Sequence, residues 1–165
     1  NSDLANNYGN FCQRVTAFNE KNCSSMIPEP DKFNTDDLNI LNIYSKNLIK
    51  LREHMDQQEL NSYIDFIVNA LFDANKYFND QEPWKKKDDK KRMNTIIYVS
   101  LELIRKISIM LYPIIPGTSI KSLSIFNITE NKISFESINN HKYLISRSKI
   151  SKVDILFKKI AKDND

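Results

Sequence analysis

Met93-Asn94-Thr95-Ile96-Ile97-Tyr98-Val99-Ser100-Leu101-Glu102-Leu103-Ile104-Arg105-Lys106-Ile107-Ser108-Ile109-Met110-Leu111 is the stretch that decides the fold. Met93, Ile97, Ser100, Ile104, Ile107 and Leu111 recur at alternating spacings of four and three, one continuous face of an α-helix. Ile96, Val99, Leu103 and Met110 form a second apolar face on the same segment. A helix that is apolar on two faces needs neighbours on both, which places it centrally in a bundle.

The same periodicity recurs upstream. Leu60, Ile64, Ile67, Leu71, Ala74 and Phe78 form one stripe, and Leu41, Tyr44, Leu48, Leu51 and Met55 form another. Pro83 interrupts the chain after Asp80, because proline inside a helix removes a hydrogen bond and clashes with the preceding turn. The junction at Met55–Asp56 is short, which makes the helices on either side antiparallel neighbours. Asn34 or Thr35 can cap the second helix, with Asp36 and Asp37 in its first turn, where carboxylates suit the helix dipole. Ser2 or Asp3 can cap a first helix running to about Asn22, which ends before the proline-containing stretch Met26–Asp31. Downstream, Pro113 and Pro116 close the central helix and start a short one at Gly117–Leu123. The expected architecture is all-α, an antiparallel helix bundle over residues 1–123. Residues 124–165 read as a largely irregular tail: Phe126–Ile138 alternates weakly, Asn139-Asn140 reads as a turn, and a short terminal helix is expected from Ser151 to Ala161.

Composition agrees. The chain has 165 residues, enough for one domain with a real core, and only two of them are glycine. So few positions suited to positive φ argue against an all-β fold and against a phosphate-cradling loop. Asn, Lys and Ile are in excess; an AT-rich coding sequence would produce the same bias, so no single Lys or Asn carries weight alone. The formal net charge of +3 is compatible with nucleic acid without demanding it. Cys12 and Cys23 lie at no zinc-ligand spacing and read as free thiols of a reduced, cytoplasmic protein. No apolar run approaches the roughly 20 residues of a membrane span. The opening Asn1-Ser2-Asp3-Leu4 resembles neither a signal peptide nor a natural initiation, so the chain reads as cut from something longer.

Catalytic constellations are missing from the sequence: there is no Gly-rich phosphate loop, Gly-x-Ser-x-Gly elbow or His-Glu-x-x-His pair. His54 and His141 have no obvious partner, and His54 at a helix end suits the dipole better than chemistry. Asp36-Asp37 and Asp88-Asp89 flank helix starts or basic runs, where solvated-face roles account for them. The expectation is a chain with no catalytic residues of its own.

Three local features ask for more than a bundle. In Leu4-Ala5-Asn6-Asn7-Tyr8-Gly9-Asn10-Phe11-Cys12-Gln13-Arg14, Asn10 and Arg14 are one helical turn apart and share a face. An amide beside a guanidinium offers the donors and acceptor that base edges require, although such pairs are also common on solvated faces. In Asn75-Lys76-Tyr77-Phe78-Asn79-Asp80-Gln81-Glu82-Pro83-Trp84, the only tryptophan follows a proline at a helix junction. It can be a core residue, or a rigid platform on which an unpaired base stacks. Lys85-Lys86-Lys87-Asp88-Asp89-Lys90-Lys91-Arg92 carries six cations and two carboxylates. Such runs are usually solvated helix faces, with Asp88 pairing to Lys91 or Arg92; beside a stacking Trp84, Lys85, Lys86 and Lys87 could hold phosphates.

Together and in this order, the segments resemble the anticodon-binding domain of the bacterial-type methionyl-tRNA synthetase family. The likeness rests on the Leu4-to-Arg14 opening, the Asn75-Lys76-Tyr77 to Pro83-Trp84 segment and the ending Leu111-Tyr112-Pro113-Ile114-Ile115-Pro116. It covers residues 1–123 well and is looser over the tail, at Ile155-Leu156-Phe157. The resemblance implies a class I synthetase helix bundle that recognises the CAU anticodon loop of tRNA(Met). By motif, Asn10 and Arg14 would hydrogen-bond anticodon bases and Trp84 would stack on the first, a cytosine. It further implies a separate N-terminal catalytic domain that attaches methionine using ATP. The tail would pack on the bundle or on that domain, with no cofactor, metal or membrane partner for this stretch. The family's catalytic His-x-Gly-His and Lys-Met-Ser-Lys-Ser sequences are absent here, so the stretch is expected to be inactive alone. The three lysines after Trp84, and Cys12 and Gln13 at variable positions, depart from the family pattern and put the neighbouring phosphate contacts in question. Two other readings remain. One is a helical protein-interaction or self-association bundle, which predicts a core Trp84 far from Asn10 and Arg14; the other is the anticodon domain of a related class I synthetase.

Overall fold

A computed structural model of the protein describes residues 2–44 and 57–151. Five α-helices are present among them: α1 Ser2–Cys23, α2 Thr35–Asn42, α3 Gln57–Gln81, α4 Lys90–Met110 and α5 Pro116–Ser124. A 3₁₀ turn, Pro83–Lys85, lies between α3 and α4. The expected continuation of the second helix to Met55, the junction at Met55–Asp56 and His54 lie outside the described residues, as does the expected terminal helix beyond Ser151.

The doubly apolar segment is the axis of the fold. Every residue of α4 from Thr95 to Met110 is buried, and α1, α2, α3 and α5 all pack on it. Tyr8 of α1 bonds Ser108, while Cys23 lies 3.7 Å from the Asn94 side chain, so α1 and α4 run antiparallel. Tyr63 donates to the Met110 carbonyl at 2.5 Å and Arg92 donates to Gln81 at 2.8 Å, so α3 and α4 are antiparallel as well. Helix ends follow local chemistry. Asn34 caps α2 in a reciprocal capping box with Asp37, and Asp89 caps α4 through the Arg92 amide. Pro116 starts α5, one residue earlier than the Gly117 start read from the sequence.

Two buried polar clusters depart from the sequence reading. Asp37, read as a solvated first-turn acid, is fully buried. Its carboxylate accepts both Arg92 guanidinium nitrogens at 2.7 and 2.9 Å, the Tyr77 hydroxyl at 2.5 Å and the Asn34 amide at 3.0 Å. Arg92 is therefore committed to Asp37 across the bundle rather than to Asp88 on its own helix. Burial alone would raise the Asp37 carboxyl pKa; the hydrogen bonds from Arg92, Tyr77 and Asn34, with the Arg92 charge, outweigh it and leave the pKa lowered.

The second cluster lies on α4, where Glu102, Arg105 and Lys106 are completely buried. Residues 125–151 cover them. Arg105 bonds Glu102 at 2.8 Å and the Ser137 and Asn140 carbonyls at 3.1 and 2.7 Å, and it stacks over Tyr143 at 4.5 Å. Glu102 accepts the Leu144 amide at 3.0 Å, and Tyr98 donates to the Leu144 carbonyl at 2.6 Å. Lys106 bonds the Ile138 carbonyl and, at 2.9 Å, His141 Nδ1. His141 Nε2 meets Asn42 of α2 at 2.9 Å, so the histidine that had no obvious partner in sequence has two. Desolvation, then the neighbouring Arg105 charge, push the Lys106 pKa down to about 7. Unfolding raises its proton affinity, so this group favours the fold more as pH climbs from there towards the ordinary lysine range.

Ile125, Phe126, Ile128, Ile138, Leu144 and Ile150 join the same hydrophobic core as the helices. The weak alternation of Phe126–Ile138 forms no strand; the chain instead makes two short 3₁₀ turns, Glu130–Lys132 and Glu136–Asn139. An antiparallel bridge, Met26 to Lys149, ties this region to the segment that follows α1.

Replacing Asp37 with Ala should destabilise the fold by about 3 kcal/mol in denaturant titration, because Arg92 and Tyr77 lose their shared buried acceptor. The Asp37 contribution is present above the ordinary carboxylate pKa and is lost as pH falls through its lowered value. An Asp37→Asn variant should accordingly lose less stability than wild type on acidification below about pH 4. A parallel acid limb in both proteins would contradict the burial argument.

Candidate nucleic-acid interface

Trp84 sits where the backbone turns sharply. Pro83 is buried and opens the 3₁₀ turn, and the preceding Glu82 is held in the left-handed region at φ 47°. That conformation is strained for a glutamate, and proline disfavours the right-handed helical alternative for the residue before it. The chain therefore leaves α3 abruptly and carries the indole back against the α3 face that meets α1. Trp84 is 39% exposed.

Its ring stands edge-on to Phe78, with centroids 5.9 Å apart, and Phe78 in turn meets Phe18 of α1 at 5.9 Å. The Arg14 guanidinium lies 5.0 Å from the Phe78 centroid and 5.7 Å from that of Trp84. Asn79 accepts a hydrogen bond from Arg14 Nη2, which holds the plane of the guanidinium. A cleft of about 390 Å³ opens here, lined by Arg14, Ala17, Phe18, Lys21, Phe78 and Trp84. It offers an aromatic surface and a fixed planar cation, together suited to a flat, polar-edged ring such as a nucleobase.

Of the residues singled out from sequence, Arg14 and Trp84 are thus brought together. Asn10 is exposed one turn before Arg14 on α1 and does not line the cleft. Lys85 pairs with Glu82 at 2.6 Å, Lys86 donates to the Gln81 carbonyl, and Lys87 is exposed in the following turn. Sequence reasoning missed Phe18, Lys21 and Asn79. The first two sit four and seven residues after Arg14, a spacing that would have flagged their common face; Asn79 carried no local signal. Phe78 was read as core, and its side chain is buried, but it also floors the cleft. The interaction-bundle reading required a core Trp84 remote from Arg14, and neither condition holds. Among the described residues no cluster of His, Cys, Asp or Glu could hold a metal, and no helix is long and apolar enough to cross a membrane.

The bundle matches solved structures of methionyl-tRNA synthetases, an aminoacyl-tRNA synthetase class. The apo form from Mycobacterium tuberculosis superposes with a TM-score of 0.80 at 30% identity, over 90% of this chain and 30% of that one. The same enzyme in complex with methionyl-adenylate gives 0.81 at 30% identity, over 91% and 30%. Residues 27–165 match the family model for the anticodon binding domain of methionyl tRNA ligase, and this chain belongs to that family. The methionine–tRNA ligase of Brucella suis is 37% identical over 139 residues, covering 84% of this chain and 27% of the relative. That of Thermotoga maritima is 36% identical over 166 residues, covering 99% and 26%. The chain thus spans about a quarter of the length of the curated relatives it matches.

With Trp84 partly exposed at the rim of the bundle, Trp84→Ala should leave the helical content intact and cost about 1–2 kcal/mol, below the roughly 3–5 kcal/mol of a core aromatic truncation. Circular dichroism and thermal melting check this; collapse of the fold would return Trp84 to the core.

Proposed function

We propose that this domain reads the CAU anticodon loop of tRNA(Met) and so selects the substrate of a methionine–tRNA ligase. The observation that carries the proposal is the meeting of Arg14 and Trp84 in one open, aromatic-floored cleft. Loop bases are splayed out of the helix stack, and proteins recognise them by stacking on aromatic rings and by hydrogen bonds to their edges. Trp84 supplies the stacking face for the first anticodon base. Arg14, held by Asn79 and the aromatic rings, presents its remaining donors to base edges, and Asn10 extends the same face by one turn. Lys85, Lys86 and Lys87 are candidate phosphate contacts; the exposed pair of Lys85 with Glu82 is weak enough to exchange for a phosphate.

Under this reading, ATP-dependent attachment of methionine belongs to a catalytic domain elsewhere in the protein, in the cytoplasm. The present domain needs no cofactor. Its contribution is selectivity, through binding energy realised only with the right loop.

The test compares binding of a CAU stem-loop with one altered at the first anticodon base. The altered loop should bind about five- to 150-fold more weakly, as expected for losing about 1–3 kcal/mol of base-specific contact. Equal affinity for both would remove specific readout.

A further inference from the structure

We infer that Lys21 is the cation that holds a phosphate of the nucleotide seated in the Trp84 cleft. The inference rests on the reading of that cleft as a base-binding site. Arg14, Ala17, Phe18 and Lys21 follow one another along a single stripe of α1, and all four line the cleft. Arg14 is engaged with Asn79, Phe78 and Trp84 at one end. Lys21 stands at the other, about 10 Å further along the helix axis. A base stacked on Trp84 fills the aromatic part of the cleft and leaves its sugar and phosphate at the rim, where Lys21 is the second cation of the lining.

The neighbouring lysines are placed differently. Lys85 has Glu82 as a partner, Lys86 is bonded to the Gln81 carbonyl, and Lys87 lies outside the lining. Lys21 is exposed and, among the described residues, has no hydrogen-bond or ion-pair partner to give up on binding. Its position in the last turn of α1 also suits the helix dipole. The dipole would accept a lysine anywhere around that turn, however, and does not require the one face that opens on Trp84.

A phosphate contact has a signature distinct from base reading: its loss weakens binding alike for all sequences and reduces the salt dependence. The experiment measures binding of the CAU stem-loop, and of the loop altered at its first base, to the intact protein across a salt series. Lys21→Gln should lower affinity about three- to tenfold for both loops and reduce the slope of log K against log salt by about one. Lys21→Arg should restore both, and Lys121→Ala on α5, outside the cleft lining, should change neither. An unchanged slope in Lys21→Gln, or a loss confined to the CAU loop, would overturn the assignment. Trp84→Ala separates this from the underlying reading. If it weakens binding while Lys21→Gln leaves the slope intact, only the phosphate assignment fails; if wild type does not distinguish the loops and Trp84→Ala has no effect, the cleft itself is not the base site.

Discussion

The carboxylate of Asp37 holds both ends of the junction that carries Trp84. Arg92, in the first turn of α4, bonds Asp37 through two nitrogens and also reaches the Gln81 side chain at the last residue of α3. Tyr77, one turn earlier on α3, donates to the same carboxylate. Asp37 is itself placed by the capping box that starts α2. A three-helix clamp therefore spans the break at Pro83. Between its two ends the chain makes one strained residue, one 3₁₀ turn and an exposed indole, whose position against Phe78 and Arg14 follows from that short span. Without the clamp, α3 and α4 could part at their junction and the cleft would lose its wall.

A different device covers the far side of α4. Glu102, Arg105 and Lys106 are charged residues in the buried stretch of α4, and a bare bundle would leave them needing water. Residues 125–151 instead wrap them with carbonyls, an amide and His141, so that the tail is held by specific directional bonds as well as by apolar burial. Buried charges of this kind cost desolvation and are poor sources of net stability. What they confer is register: a tail shifted by one residue would take the Ser137 and Asn140 carbonyls from Arg105 and the Ile138 carbonyl from Lys106. The junction that carries Trp84 and the tail are thus both tied to one central helix, the first through Arg92 and the second through Glu102, Arg105 and Lys106.

Much of this architecture was legible in sequence. The stripes on α3 and α4 and the cap at Asn34 depend on neighbours within one or two turns, which spacing encodes directly. The roles of Asp37 and of the Glu102–Arg105–Lys106 group were not legible, because a carboxylate in a first turn looks the same whether its partner is water or an arginine 55 positions away. The site divides along the same line. That Asn10 and Arg14 share a face follows from a separation of four. That Arg14 meets Trp84, 70 residues later, depends on how α1, α3 and the Pro83 turn pack, and only the family resemblance pointed to it beforehand. Asn79 escaped notice because a polar residue on a solvated helix and one bordering a cleft have the same local pattern; the spacing of Phe18 and Lys21 from Arg14 marks a shared face but not the cleft it borders.

In the proposed function, Arg14 and Trp84 act on the anticodon as one site. A double-mutant cycle on CAU stem-loop binding, with Arg14→Ala, Trp84→Ala and the double variant, measures whether they do. If both groups grip the same base, the effects should be non-additive, with a coupling energy of about 1 kcal/mol or more. Strict additivity of two losses, or no loss from either variant, would contradict it.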